Sequence, residues 1–193
     1  FLISTMAVIS NTMLNRFIAS YANEAVAGMG IAKRIDLMAF AVAQGMAQGT
    51  LPLIGYNFTS GNRARMRSAI RTLLLYCILV SCTVTAGLYL AAGPVTKLFI
   101  NDAATASYGT IFLRIICLAC PTTSLNIFVI TVFQATGKKL PPIFLSLLRK
   151  GSLDVALMAV LDRTASIRGV AWASPIADAA ALVISGVMLL CYL

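Results

Sequence analysis

Three features of the sequence predict an all-α fold, a polytopic membrane helix bundle of about six transmembrane helices. Hydrophobic residues make up 60% of the chain and charged ones 11%, with a mean hydropathy of +0.90. That is more apolar side chain than a soluble domain of this length hides in a core. The apolar residues fall in long runs, near 1–20, 30–57, 69–92, 107–134, 140–161 and 170–193. Such runs approach the ~20 residues that cross a ~30 Å hydrocarbon layer at ~1.5 Å per residue. The third feature is the absence of any ~10-residue alternating pattern of a barrel, and since lipid offers the backbone no hydrogen-bond partner, the runs must be helices.

The connectors carry the charge. A net charge of +9 would suit a nucleic-acid binder, but the basic residues sit mostly in short breaks between apolar runs instead of on one amphipathic face, which excludes nucleic acid as the expected partner and leaves the lipid bilayer. Arg63, Arg65, Arg67 and Arg71 follow the second run, and Lys138 and Lys139 follow the fourth. The alternate connectors mix fewer basic residues with acids: Glu24, Lys97, Asp102, Asp162, Arg163 and Arg168. The arginine group is therefore expected on the cytoplasmic side, with the first run leading outward, although Lys33 and Arg34 reduce the contrast. Its further reading is recognition of anionic lipid head groups.

Cysteine and histidine usage exclude other chemistry. Cys77, Cys82, Cys117, Cys120 and Cys191 all fall inside apolar runs, where a thiol packs as a small hydrophobe, so all five are expected to be buried packing residues. The chain has no histidine, which removes histidine metal sites and histidine-dependent triads. No metal site, catalytic residue or organic cofactor is expected. Phe1 already lies in an apolar run, and the chain is expected to be a piece of a longer protein.

The second run reads Gln44-Gly-Met-Ala-Gln-Gly-Thr-Leu-Pro-Leu-Ile-Gly-Tyr-Asn57 after Gly28-Met-Gly30, and it exits through Gly61-Asn62-Arg63. These residues resemble the eighth helix of multidrug and toxic compound extrusion (MATE) transporters, with its glycine- and glutamine-rich stretch, its proline and its Gly-Tyr-Asn exit. Gln134-Ala-Thr-Gly137 with a basic pair, Arg149-Lys-Gly151, and Trp172-Ala-Ser-Pro-Ile-Ala-Asp178 are similar to that family's tenth, eleventh and twelfth helices. The resemblance covers nearly the whole chain. It implies that residues 1–193 are the C-terminal six-helix lobe of a two-lobe, twelve-helix transporter of the plasma membrane, with the N-terminal lobe missing. It further implies a secondary active efflux antiporter that exports amphipathic or cationic drugs or metabolites in exchange for H⁺ or Na⁺, and no enzyme. The alternatives are a lipid-linked oligosaccharide flippase of the related superfamily, favoured by an Arg/Lys-rich cavity, and an intramembrane enzyme or non-transporting scaffold.

Two departures limit the analogy. Thr59-Ser60 stands where the family commonly has Gly-Ala. Some branches embed an acid in the seventh and tenth helices, whereas the matching runs here offer Asn11, Asn15 and Arg16 in one and Arg114 in the other. Cation coupling is therefore not assigned to those two spans.

Ionisable groups at membrane depth cost at least ~2.5 kcal/mol each on insertion scales and turn inward to partners. Asp36, Asp154 and Asp178 are the candidates for cation coupling, Asp36 and Asp178 foremost. Arg16, Arg114, Arg149 and Lys150 complete a charge network, in which Asp36, Arg114 and Asp178 are placed in the outer half of their spans and Lys150 and Asp154 are four apart. Proton or Na⁺ exchange and static neutralisation both remain open.

Gln44, Gln48 and Pro52 repeat every four residues and share a helix face. Pro52 has no N–H for the carbonyl of Gln48, which is left for water, a neighbour or a cationic ligand. With Tyr56, and with Asn126 beyond Pro121, these residues are the expected cavity lining, and plain helix packing is the competing reading. Pro121 and Pro175 mark breaks in the fourth and sixth runs. Gln134 is expected to cap a cytoplasmic end.

Overall fold

The computed structural model describes residues 2–100, 102–138 and 140–192. Every element among them is helical: α1 (Leu2–Ala19), α2 (Asn23–Thr59), α3 (Arg63–Phe99), α4 (Ala103–Cys117), α5 (Cys120–Ala135), α6 (Leu140–Leu147), a π-helical stretch (Leu148–Leu153) and α7 (Asp154–Tyr192). By length and apolarity alone, Arg63–Phe99 and Gly169–Tyr192 qualify as membrane spans, and α4 with α5, bent by 42°, counts as a third. α2 is long enough, at ~55 Å, but dilutes its apolar run with Gln44, Gln48 and glycines.

The turns follow from local chemistry. Gly61 adopts φ 72° and Gly137 φ 73°, the left-handed region that a Cβ disfavours. At the end of α5 the N–H of Lys138 donates to Phe133 O at 3.0 Å and that of Gly137 to Gln134 O at 3.1 Å, closing the carbonyls the helix leaves open. It is the backbone of Gln134 that serves this cap. Asn62 and Asp102 accept the N–H of Arg65 and Thr105 and start α3 and α4.

α4 and α5 meet at a break fixed by Pro121. Lacking an N–H, Pro121 frees the carbonyl of Cys117, and Thr85 on α3 donates its hydroxyl to that oxygen at 3.2 Å. The expected interruption of the fourth run is thus a bend secured by a neighbour.

α7 conceals a reversal. Its helical run continues from Asp154 to Tyr192, yet Ser174 Oγ donates to Asp154 Oδ1 at 3.1 Å and Arg149 lies 3.3 Å from Asp178. One straight helix would hold these pairs ~30 Å and ~43 Å apart at ~1.5 Å per residue. The chain therefore turns back between 155 and 173, where the sequence places a connector. Lys139 and the side chains of Arg163 and Arg168 lie outside the described residues. Two antiparallel limbs result, so the α6–α7 region supplies the fifth and sixth runs.

Packing alternates the chain ends. Tyr21, between α1 and α2, donates to Asp162 Oδ1 at 2.9 Å, which joins that turn to the α7 reversal. At the other end a Cβ on Gly55 would stand 3.6 Å from Ala135 O, which joins the exits of α2 and α5. Each end has an apolar cluster, one around Leu14, Ile18, Met29, Phe112, Met158 and Val170, the other around Ile54, Ile70, Phe128, Val132 and Leu189. Between them Ala43, Ala47 and Ile127 make a narrow waist. In lipid such packing relies on close contact instead of water exclusion. Gly28 shows how close: a Cβ there would meet the backbone N of Gly109 at 2.8 Å.

Three of the five cysteines, Cys77, Cys117 and Cys120, are buried as expected, whereas Cys82 and Cys191 are exposed. The correction has a simple cause: an apolar run in a membrane protein turns one side to lipid, and a thiol is tolerated there too.

Candidate functional site

Two buried carboxylates organise the middle of the bundle. Asp154, 1% exposed, opens α7 directly after the π-helical stretch. Ser10 on α1 donates its hydroxyl to Oδ2 at 2.6 Å, and Ser174 on the returning limb donates to Oδ1 at 3.1 Å. The acid therefore ties three segments together, as a charge taken out of water requires.

Asp178, 4% exposed, stands one turn beyond Ser174. Its Oδ1 pairs with Arg149 Nη1 at 3.3 Å, and its Oδ2 accepts the hydroxyl of Thr123 on α5. Asn126, one turn further along α5, donates to the backbone O of Asp178 at 2.8 Å and accepts the hydroxyl of Ser185 at 2.9 Å. Arg149 reaches this cluster from the π-helical stretch, whose wider turn rotates the side chains that follow it. Together Ser10, Asp154, Ser174, Asp178, Arg149, Thr123, Asn126 and Ser185 form a polar seam across the lobe.

The seam uses expected residues in unexpected pairings. Asp178 finds its cation in Arg149, while Arg114 is exposed and lies with its guanidinium 5.4 Å from the ring centre of Tyr89, a cation–π contact. Asp36 is half-buried on α2, and Arg16 is exposed near the end of α1. The side chain of Lys150 lies outside the described residues. Asn126, expected as cavity lining, is 3% exposed and sealed between α5 and α7, because its amide satisfies two groups there.

The hydroxyl partners were missed in the sequence, where serine and threonine give no charge signal. A helical period could have found some of them: Ser174, Asp178 and Ser185 fall within ~40° of one another around the second α7 limb at 100° per residue. Among the described residues, no three of His, Cys, Asp and Glu gather into a metal-binding group.

The α2 face is differently placed. Ala39, Ala43, Ala47, Thr50, Ile54 and Asn57 are turned into the bundle. Gln44 is half-buried, whereas Gln48, Pro52 and Tyr56 are exposed, Tyr56 by 71%. Gln48 stands ~37 Å from one end of α2 and ~17 Å from the other. Asn11 and Asn15 on the neighbouring α1 are also exposed. Polar amides therefore reach the outside of the bundle well away from the helix ends.

A family model described as MatE matches residues 1–160. The multidrug export protein MepA of Staphylococcus saprophyticus is 25% identical over 178 residues, covering 92% of this chain and 39% of its own length. Among solved structures, the MATE transporter ClbM in complex with Rb⁺ superposes with a TM-score of 0.87 at 22% identity, covering 95% of this chain and 43% of that one. The Vibrio cholerae MATE transporter VcmN, in its bent form, gives a TM-score of 0.88 at 17% identity, with coverages of 96% and 42%. The chain spans about two fifths of the length of the curated relatives it matches.

Proposed function

The chain belongs to the MatE family, and we propose that it forms the C-terminal six-helix lobe of a multidrug efflux antiporter of the plasma membrane, working against a second lobe of similar size. The observation that carries this reading is the exposure of Gln48, with half-buried Gln44 and the carbonyl freed by Pro52, on a helix of a membrane bundle. An amide turned to hydrocarbon without a partner loses its hydrogen bonds. Bordering a watered passage between two lobes, it keeps them, and substrate sites of two-lobe carriers lie at that midplane. The cargo is an amphipathic or cationic small molecule, since the face offers amide oxygens, a free carbonyl and the ring of Tyr56 but no fixed charge.

Coupling is assigned to H⁺ or Na⁺ at a buried carboxylate. Asp178 leads, because its charge is held by one guanidinium and one hydroxyl and depends on the packing of α5 against both α7 limbs. Asp154, in a hydroxyl cage, and Asp36, half-buried on α2, are the other candidates. An oligosaccharide flippase would need cations gathered along the passage. Arg149 is instead neutralised by Asp178, and Arg114 lies over Tyr89, which favours export.

The test is accumulation of a fluorescent cationic drug in cells expressing the full-length protein, with Gln48→Ala and Asp178→Asn as variants. Expression of the wild type lowers accumulation, and each variant, at equal abundance in the membrane, restores it. If both variants export as well as the wild type, the reading fails.

A further inference from the structure

Where α3 gives way to α4, an open cleft of about 390 Å³ lies between the two helices, with Lys97, Asp102, Ser107 and Thr110 in its walls. Thr96 and Thr110 share a hydrogen bond between their hydroxyls at 2.7 Å, which joins the helices there. Arg114 follows Thr110 by one turn, exposed, with its guanidinium over the ring of Tyr89. Two ridges run down from the cleft. At ~100° per residue, Lys97 and Leu90 stand within ~20° of each other on α3, and Ser107, Arg114 and Leu118 within ~40° on α4. All five are exposed, Leu90 by 80% and Leu118 by 44%. Each ridge therefore starts polar at the α3–α4 turn and becomes apolar two or three turns below it.

The membrane gives these levels a meaning. The apolar run of α3 ends near residue 92, so Tyr89 marks the edge of the hydrocarbon, where aromatic belts sit. Arg114, in contact with Tyr89, lies at that edge too, and Lys97 stands ~7 Å above the end of the run, at the level of lipid head groups. The cleft also offers an acceptor. The carboxylate of Asp102 takes the N–H of Ala104, the N–H of Thr105 and the Thr105 hydroxyl, which leaves room among its about four acceptor sites for one more donor. We propose that the cleft binds a glycerophospholipid whose head group ends in a primary amine, an ethanolamine lipid. Arg114 and Lys97 hold its phosphate, Asp102 accepts from its ammonium, and an acyl chain runs down along Leu90 and Leu118. Choline carries the same charge but has no N–H to donate, so the acid selects between the two head groups. A soluble phosphate ester uses only the polar ends of the ridges, so their leucine continuations favour a lipid. The inference rests on the membrane setting alone and does not depend on transport.

Native mass spectrometry of the full-length protein, titrated with phosphatidylethanolamine or phosphatidylcholine of the same acyl chains, tests it. The wild type binds phosphatidylethanolamine about fivefold more tightly. Asp102→Asn keeps a side chain that caps α4 well and abolishes that preference. Lys97→Gln and Arg114→Gln each lower the affinity for both lipids about fivefold. Lys138→Gln removes the same charge at the opposite end of the lobe, just past α5, and changes affinity less than about twofold. Leu90→Asn with Leu118→Asn weakens lipid binding but not that of glycerophosphoethanolamine. Equal retention of the two lipids, a preference that survives Asp102→Asn, equal losses from Lys97→Gln and Lys138→Gln, or glycerophosphoethanolamine competing as well as the lipid would each overturn the assignment.

Discussion

Arg149 Nη1 lies 3.3 Å from Asp178 Oδ1 although 29 residues separate them in sequence, so one ion pair clasps the π-helical stretch to the second limb of α7. The side chains are 11% and 6% exposed, and a pair so removed from water is costly to break from one side only. Asp178→Asn should destabilise the protein by about 3 kcal/mol in detergent unfolding, because it strands the guanidinium. Replacing both, Arg149→Met with Asp178→Leu, should cost about 1 kcal/mol or less. Additive losses in the double variant would show that the two side chains act separately.

Gly28 offers a second measurement. A methyl group there meets the backbone of α4, which has no flexible end to move aside, so Gly28→Ala should lower stability by about 1–3 kcal/mol. Gly30, two residues on, faces open space, with nothing within 4 Å of where a Cβ would stand, and Gly30→Ala should be neutral or stabilising by up to about 1 kcal/mol through helix propensity. Paired thermal melts of the two variants make the comparison.

The bend between α4 and α5 predicts a coupling. Thr85→Val removes the hydroxyl that serves the Cys117 carbonyl and should cost about 1–2 kcal/mol. In a Pro121→Ala background the restored N–H competes for that carbonyl, and the same substitution should cost under half as much. A double-mutant cycle reads the difference.

Asp102 gives a pH signature outside the membrane. Its carboxyl is held below the ordinary range, first by the Thr105 hydroxyl and then by the backbone N–H groups it caps. A lowered folded value means the cap is at full strength above the ordinary carboxylate range and is lost as the pH falls through that lowered value. Amide exchange at Ala104 and Thr105, the two amides the carboxylate caps, should accelerate only at acid pH beyond its intrinsic pH dependence. Asp102→Ala should leave those amides fast at every pH.

The α2 face yields the most direct probe of the proposed passage. With Cys82 and Cys191 replaced by alanine, Gln48→Cys should react with a membrane-impermeant thiol reagent, while Ala43→Cys and Ala47→Cys, both facing α5, should not. Reaction needs the thiolate and hence water, so an inert Gln48→Cys places this face against lipid.

Much of the fold was legible because membrane spans announce themselves locally: apolar length, Gly61 and Gly137 at turns, and Pro121 at a break are properties of neighbouring residues. The seam was legible only in part. Asp154, Asp178 and Arg149 stood out as charges in apolar runs, but choosing Arg149 over Arg114 as the partner of Asp178 depends on how the α7 limbs fold back, and no local pattern encodes that. Ser10 and Thr123 escaped for another reason, since hydroxyls are common in membrane helices and gain significance only from what they face. Asn126 was misplaced for the same reason: its polarity was readable, but not the two groups that enclose it.

Finally, α1 and the turn that follows it are fastened to α7 at two points, Ser10 within the helix to Asp154 and Tyr21 just past its end to Asp162. Two anchors, one on the rod and one just beyond it, leave it no hinge of its own. Spin labels on α1 and on the first α7 limb should hold a constant separation throughout a transport cycle, so any rocking must take α1 along as cargo of the rigid lobe.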